Sequence, residues 1–579
     1  MDDEVRELFD WYEQGRVSRS QFLVAAAKLG LSAAAVGVLA KASPAYAGLS
    51  SGAVDDQWSE RSALWSERKA RNQLILAAPG TPAGLDSEFY GGSSFNDCGV
   101  NLNEGLTRWK TVPSPDEKGG YDIAWHAENP RGTTSPGLAK SWTISNGGKT
   151  YTFHLGDWVS HAGNPLTAAD VKWHFDRAFA LKAIGLSVNL AANLLSADDV
   201  VVLDAKTVRF TISAPSDIFL ETTNNLIRCG IVDSTEAKKH ATNADPWATT
   251  WLKNNWPGFG PYKVQSLTPG TSTVWAAHNS TSQPPKIGSV TFQAVPTSAT
   301  RIGLLSAGQV DVAQLLSPIE VASVIGVKGV RVWKLHDNKP TYVVMNSAIP
   351  PFDNKLVRVA LSYAVPYDSM VKYVYRGFAD KAAGPIPSKA LTKNARSYYA
   401  KSFPYKFDLA MAKKLLAAAG LPKGFTTSFT YDSSDPIAEA VGVTLRTTFK
   451  DIGVTLNLNG TTSAGWNQAL STKSAPMIFS STGPNVPDPH YILYILAGAT
   501  GQNISNYKNA HFNDLLNQAI GVSDAKKARK LNIAAFQSLV QDPPVLWIAE
   551  PRMIIAARND LTGINWYINA PRWNEVSFT

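Results

Sequence analysis

"DLAMAKKLLAAAGLPKGFTTSFTYDSSDPIAEAVGVTLRTTFKDIGVTLNL", Asp408 to Leu458, decides the fold class of this chain. Helical and strand patterns alternate along it, with caps and glycines at the boundaries. The predicted elements are a helix from Asp408 as N-cap to Gly420 as C-cap, a strand Thr426–Tyr431, a helix Ile437–Ile452 and a strand Val454–Leu458. Helices of this length between short β-rich runs indicate α/β layers around a sheet.

The same alternation continues on both sides of this stretch. Downstream we predict the helix Ala464–Thr472, the strand Pro476–Ser480 and two separate strands, "VLWIAE" and "MIIAAR". Upstream, "KTYTFHL" alternates as a strand does, and "LTAADVKWHFDRAFA" follows as a helix with a near capping box at Thr167 and Asp170. The fold class predicted from the residues is therefore α/β.

Length and composition limit the classes of protein to consider. With 579 residues, the chain is too long for one apolar core, so we expect two or three domains. The net charge is +8, but no Lys/Arg-rich run accompanies it, so we expect no nucleic-acid partner. The two cysteines, Cys98 and Cys229, are compatible with one disulfide or with two buried thiols.

The N-terminus has the features of an export signal. Arg16 and Arg19 precede the apolar run "FLVAAAKLGLSAAAVGVLA", and "AYA" at 45–47 offers a cleavage site, so residues 1–47 are predicted to be a signal peptide. "SRSQFL" is similar to the twin-arginine motif, with Ser20 in place of the second arginine, and the export route stays open. We therefore expect an exported, soluble protein in the periplasm.

Local catalytic signatures are missing from the sequence. "GLSSG" at 48–52 matches the nucleophile pattern G-x-S-x-G, but it lacks the preceding strand that a nucleophile elbow requires. The nine histidines show no paired metal-ligand spacing, and there is no Walker A loop or dinucleotide fingerprint. We expect a binding protein rather than an enzyme, with no catalytic residues, no metal and no cofactor.

Several segments resemble, in the same order along the chain, the family 5 extracellular solute-binding proteins of ABC importers. Gly137–Ala178 resembles the family's signature region. The other blocks that carry the resemblance are "GFGPYKV", "VPTSATRIGLLSAGQVDVA", "PPFDNKLVRVALSYAVPYDSM", "FDLAMAKKLLAAAGLPKGF", "VPDPHYIL" and the stretch from "YKNAHFNDLL" to "MIIAAR". Together they span roughly residues 72–570.

The resemblance implies a two-lobed fold of the periplasmic-binding-protein type, with a hinge and an extra subdomain in the first lobe. Residues 48–71 would form a tether after the signal peptide. The implied lobe boundaries are 72–115 and 255–336 for the first lobe, 116–254 for its extra subdomain, 337–546 for the second lobe, and 547–579 for the return to the first lobe.

The implied function is capture of a solute of the oligopeptide, dipeptide and nickel class and its delivery to an ABC transporter permease. We expect the protein to act as a monomer that closes over its ligand. Two alternatives stay open: the same role for an oligosaccharide or sugar conjugate, and a secreted hydrolase with a dispersed site.

Candidate ligand contacts follow from the family pattern. In peptide-binding relatives, an aspartate before the "DP" pair binds the peptide's ammonium group, and Asn485 of "SSTGPNVPDPHYIL" stands at that position. An amide cannot supply the carboxylate's charge, which favours a ligand without a free amine. Trp466 matches a pocket tryptophan, and core packing is its alternative. The remaining candidates lie in the first-lobe segment and are Tyr90, Phe95, Asn96 and Cys98.

Overall fold

The computed structural model describes most of the chain after the predicted signal peptide. The described residues are 52–90, 93–114, 117–123, 134–182, 185–216, 218–224, 230–279, 284–337, 339–382, 384–385, 401–481, 483, 489–499, 502–520, 522, 525–567 and 569–579. The signal peptide 1–47, Cys229, Asn485 and Asp488 lie outside them. No helix in the described ranges is long and apolar enough to cross a membrane.

The strands in chain order are β1 (Gln73–Ala78), β2 (Thr107–Trp109), β3 (Thr111–Pro113), β4 (Tyr121–Ile123), β5 (Thr134–Pro136), β6 (Ala139–Ser145), β7 (Thr150–Leu155), β8 (Val200–Asp204), β9 (Thr207–Thr211), β10 (Tyr262–Thr268), β11 (Ser272–Ala277), β12 (Ser289–Ala294), β13 (Val312–Ala313), β14 (Val330–His336), β15 (Thr341–Met345), β16 (Ala379–Asp380), β17 (Thr426–Asp432), β18 (Thr455–Thr461), β19 (Met477–Ser481), β20 (Val545–Arg558), β21 (Leu561–Thr562), β22 (Asn565–Trp566) and β23 (Ser577–Phe578).

The helices are Gly52–Ala70, Ser93–Leu102, Ala168–Leu181, Leu186–Ala191, Phe219–Thr222, Ser234–Lys238, Thr249–Leu252, Ser298–Ser306, Lys355–Tyr363, Tyr367–Ser369, Leu409–Ala418, Pro436–Lys450, Ser463–Thr472, Pro489–Ala497, Ala510–Ile520 and Ala525–Gln541. Met370–Val374 adds one π-helical segment.

Side-chain caps fix several of the predicted helix starts. Asp408 accepts a hydrogen bond from the Met411 amide at 2.9 Å, as expected of an N-cap. Asp170 accepts one from the Thr167 amide at 2.8 Å, which is half of the predicted capping box. Asp435 caps the helix that begins at Pro436, where proline's missing N–H needs no partner. These local signals explain why the predicted and observed starts of these three helices agree within two residues.

The largest sheet of the described residues has twelve strands. Its main path runs β10-β11-β12-β1-β13-β20-β15-β19-β17-β18, and β14 and β16 pair with β20. A separate four-stranded sheet has the order β6-β7-β9-β8. The helix Pro436–Lys450 connects the parallel neighbours β17 and β18, because parallel strands need a crossover connection.

One strand crosses between the two halves of the large sheet. The first part of β20 pairs with β15, and its last part pairs with β13 and β14. The prediction of two separate strands here is wrong, since Pro551 lies inside one continuous strand of fourteen residues. Proline has no N–H to donate, and it is tolerated here because β20 changes its long partner strand at this point. Pro551 itself lies opposite Ala379 of the two-residue strand β16.

Apolar side chains collect in separate cores. One core contains buried residues between Tyr342 and Ala549. A second takes residues from β1, β11, β12, β14 and the chain end, including Trp275, Trp333 and Trp573. A third lies mainly under the four-stranded sheet, around Phe153 and Phe210. The mixed α/β architecture predicted from the sequence is confirmed.

Residues 52–67 and 307–309 belong to a compact unit of their own. The predicted tether 48–71 is helical over Gly52–Ala70. In this unit the Arg61 guanidinium lies over the rings of Trp58 and Trp65, at 5.2 and 5.3 Å from their centroids. These cation–π contacts join residues three and four positions apart, which lie on one face of the helix.

Candidate functional site

Two sets of parallel strands define the carboxyl edges at which a ligand site is expected. In the first half of the large sheet, β1 runs parallel to β12 and β13. In the second half, β17 runs parallel to β18 and β19. Ligands of open α/β sheets bind beyond the carboxyl ends of such strands. The segments that follow these strands are therefore the first places to look for contacts.

Trp466 lies just beyond the carboxyl end of β18. Its helix begins immediately after that strand, and the Thr462 hydroxyl caps it by accepting a hydrogen bond from the Gly465 amide at 3.2 Å. The Trp466 indole Nε1 donates to the carbonyl oxygen of Phe479, on β19, at 2.9 Å. The side chain is partly buried and packs against the second-half core. The ring is thus fixed in orientation while part of its surface is accessible.

The stretch that contains Asn485 follows β19 and ends where the helix Pro489–Ala497 begins. β19 and β18 are both parallel to β17, so β19 ends at the same carboxyl edge as the strand that precedes the helix of Trp466. The side chain of Asn485 lies outside the described residues, and its role stays a prediction.

The first-lobe candidates belong to the helix Ser93–Leu102 and the turn before it. Gln314 directly follows β13, and its Nε2 donates to Asp97 Oδ2 of this helix at 3.0 Å. Asn101 of the same helix donates to the carbonyl oxygen of Pro571 at 2.8 Å and accepts from the Trp573 amide at 2.8 Å. These bonds hold the helix at the carboxyl edge of the first-half strands.

The four first-lobe candidates differ in accessibility. Phe95 and Cys98 are each 2 % exposed and Asn96 is 8 % exposed, whereas Tyr90 is partly buried. Phe95 belongs to a small apolar cluster with Trp109, against which Tyr90 packs. Phe95 and Cys98 are therefore packed in cores in this arrangement. Ligand contact by any of the four stays a prediction.

Cys98 is a free, buried thiol. Burial raises the pKa of this thiol well above its ordinary value, and the neighbouring Asp97 raises it further. A protonated, enclosed thiol is a poor nucleophile and a small apolar side chain in effect. Its candidate disulfide partner Cys229 lies outside the described residues.

Asp97 and Gln314 form a buried polar pair that sequence reasoning missed. Burial raises the pKa of Asp97 to about 7, although the hydrogen bond from Gln314 and the Trp573 indole act in the opposite direction. Among the described residues, Asp97 Oδ1 and Gln314 Oε1 make no hydrogen bond. The position of Gln314 directly after "VDVA" was the available signal, because a polar residue after a buried strand often lies at the carboxyl edge.

A buried ion cluster ties the C-terminal segment to the end of the same helix. Glu104 binds Arg108 closely and binds Arg572 at 3.2 Å. Burial opposes ionisation of Glu104, but Arg108 and Arg572 outweigh it and lower its pKa. Arg572 stands 468 residues away in sequence, so no local pattern could have predicted this pairing.

A cavity of about 350 Å³ opens elsewhere, beside the outer strand β10, and is lined in part by Trp251, Asn254, Lys263 and Gln265. β10 is separated from β20 by four other strands of the sheet. At about 4.8 Å between neighbouring strands, the distance is roughly 24 Å. We therefore do not assign the solute to this cavity.

Comparison with known proteins identifies relatives over most of the chain. Residues 133–504 match the family described as bacterial extracellular solute-binding proteins, family 5 (middle). The glutathione-binding protein GsiB of Shigella flexneri serotype 5b is 25% identical over 443 residues, which cover 74% of this chain and 82% of the relative.

Solved structures share the fold. The periplasmic binding protein DppA from Helicobacter pylori, in complex with peptide STSA, is 24% identical with a TM-score of 0.71, covering 88% of this chain and 99% of DppA. AgaA from A. tumefaciens R10, in complex with agropinic acid, is 20% identical with a TM-score of 0.71, covering 88% and 99%. At these identities the likeness establishes the two-lobed, hinged architecture with its extra subdomain and nothing about the ligand.

Proposed function

Because the chain belongs to the bacterial extracellular solute-binding proteins of family 5, we propose that it captures a solute of the peptide class outside the cytoplasm. It then delivers this solute to the permease subunits of an ABC transporter. The glutathione of GsiB and the peptide STSA of DppA support the peptide class. The protein acts as a monomeric receptor and performs no covalent chemistry on its ligand.

The proposed lobes are joined at two crossings. One lies between β14 and β15, and the other lies within β20 near Pro551. The predicted bounds give the first lobe residues 72–336, with the extra subdomain at 116–254, and residues 547–579, and they give the second lobe 337–546. The pairing of β20 with β15 up to Ala549 moves the last of these bounds about four residues later. The separate apolar cores support this division, because most side chains of each core come from one lobe, with Tyr491 and Ile495 as exceptions.

The observation that carries the proposal is the position of Trp466. A partly accessible indole, locked by its hydrogen bond to the Phe479 carbonyl, stands at the carboxyl edge of the second-lobe strands. A fixed aromatic face offers a large contact surface at little cost in conformational entropy. Such a group can bind an apolar side chain of a peptide or the face of a sugar ring.

The test begins with the solute that co-purifies with the exported protein. Mass spectrometry of the denatured complex identifies that solute, and a peptide is the expected result. An oligosaccharide or sugar conjugate would reject the peptide class and keep the receptor role. Consumption of the solute on incubation with the protein would instead indicate a hydrolase.

Asn485→Asp separates the two ligand classes further. If the natural ligand lacks an amine, the added carboxylate meets no partner and weakens binding by roughly 1–3 kcal/mol. If the ligand is a peptide whose ammonium lies nearby, the added charge strengthens binding. Calorimetry with the co-purified solute measures both outcomes. Equal affinities would show that Asn485 only shapes the turn.

A further inference from the structure

The helix Pro489–Ala497 contributes side chains to two different apolar cores. Leu493 and Leu496 are buried in the core of the proposed second lobe. Tyr491 and Ile495, which are 3 % and 9 % exposed, are buried in the core of the extra subdomain of the first lobe. This one short helix therefore connects the two lobes by side-chain packing.

Helical geometry places the two contacts on different faces. Tyr491 and Ile495 are four residues apart and lie about 40° from each other around the helix axis, since each residue turns the chain by about 100°. Leu493 lies about 160° from Tyr491 on the same count. Because the faces are separate, one contact can be lost while the other is kept.

Opening of the lobes would expose the Tyr491–Ile495 face to water. The other buried members of this core all belong to the first lobe and its extra subdomain, among them Leu106, Phe153 and Phe259. Returning such surface to water is unfavourable whether or not a solute is bound. The contact thus favours the closed arrangement by itself.

We propose that Tyr491 and Ile495 are positioning residues that hold the lobes together before the solute arrives. This proposal rests on the proposed receptor function. Its effect is on apparent affinity, because affinity scales with the fraction of protein in the binding-competent state.

The test compares Tyr491→Ala and Ile495→Ala with two control variants in the full mature protein. Tyr373→Ala removes the same type of side chain at a position that is 66% exposed. Leu493→Ala removes a side chain from the opposite face of the same helix, which lies in the second-lobe core. Bound solute is first removed by unfolding and refolding, and circular dichroism checks that each variant is folded.

Small-angle scattering of the solute-free proteins is the first readout. We expect wild type and Tyr373→Ala to be compact, and Tyr491→Ala and Ile495→Ala to have larger radii of gyration. Leu493→Ala should lower the melting temperature without increasing the radius. Equal radii for wild type and folded Ile495→Ala would overturn the proposal, as would a solute-free wild type as expanded as the variants.

Calorimetry with the tetrapeptide Ser-Thr-Ser-Ala and with glutathione is the second readout. If the closed population falls from near one to about a tenth, the apparent Kd rises about tenfold in the Tyr491 and Ile495 variants. If wild type binds a probe and both variants bind it with the same Kd, the proposal is also overturned. Failure of every protein to bind either probe would count against the peptide class alone, because the radii of the solute-free proteins test the contact independently.

Discussion

Replacement of Asp97 by asparagine should change how the stability of the protein depends on pH. Asp97 is 5 % exposed, and the Gln314 Nε2 donates to its Oδ2 at 3.0 Å. Asparagine has nearly the same shape and keeps an oxygen that can accept this hydrogen bond. The substitution therefore removes the titratable group with little change in packing.

The sign of the effect follows from where the proton is held. The Asp97 pKa is raised to about 7 in the folded protein, mainly by burial, from the ordinary value of 3.8. Between about pH 4 and pH 7 the folded protein keeps a proton that the unfolded chain has lost, so wild-type stability falls as the pH rises. A rise of about three units, at roughly 1.4 kcal/mol per unit, limits the loss to about 4 kcal/mol.

Urea denaturation followed by tryptophan fluorescence at several pH values measures this loss. Asp97→Asn and wild type should have similar unfolding free energies at pH 4, and the variant should be more stable at pH 8 by up to about 4 kcal/mol. Asp198→Asn is the matched control, because Asp198 is exposed. A variant whose stability relative to wild type does not rise between pH 4 and pH 8 would refute the reasoning.

Two further predictions concern the ion cluster and the candidate pocket. Glu104→Gln leaves two buried guanidinium groups without their carboxylate and should lower the unfolding free energy by about 3–5 kcal/mol. Asp176→Asn, which breaks the more exposed pair with Lys172, should cost less than about 1 kcal/mol by the same denaturation assay, and equal losses would contradict the role of burial. Trp466→Ala should weaken solute binding by about 2 kcal/mol, roughly thirtyfold in Kd. Gln468→Ala, at an exposed position of the same helix, should leave the calorimetric Kd unchanged, and equal effects of the two substitutions would remove Trp466 from the site.

The mixed α/β class and most element boundaries could be predicted from the sequence because their determinants are local. The carboxylates of Asp408 and Asp435 accept hydrogen bonds from amides two or three residues later. The Thr167 amide donates to the carboxylate of Asp170, also three residues later. Strand and helix periods are likewise visible in short windows of sequence. The order of family motifs carried the same information over longer range and indicated the two-lobed fold.

Other features depended on pairings between distant parts of the chain. The continuity of β20 through Pro551 is set by its partners β14, β15 and β16, none of which is near it in sequence. A local rule that treats proline as a strand end therefore gave the wrong prediction.

The candidate site shows the same limit. Sequence indicated which segment would carry Phe95 and Cys98, but their burial depends on side chains brought in by the chain end and by β13. The partnership of Glu104 with Arg572 and of Asp97 with Gln314 likewise joins residues more than two hundred positions apart. The sequence by itself determined the elements and the family, whereas the tertiary structure alone decided which polar groups are buried together, because burial depends on contacts between segments that are distant in the chain.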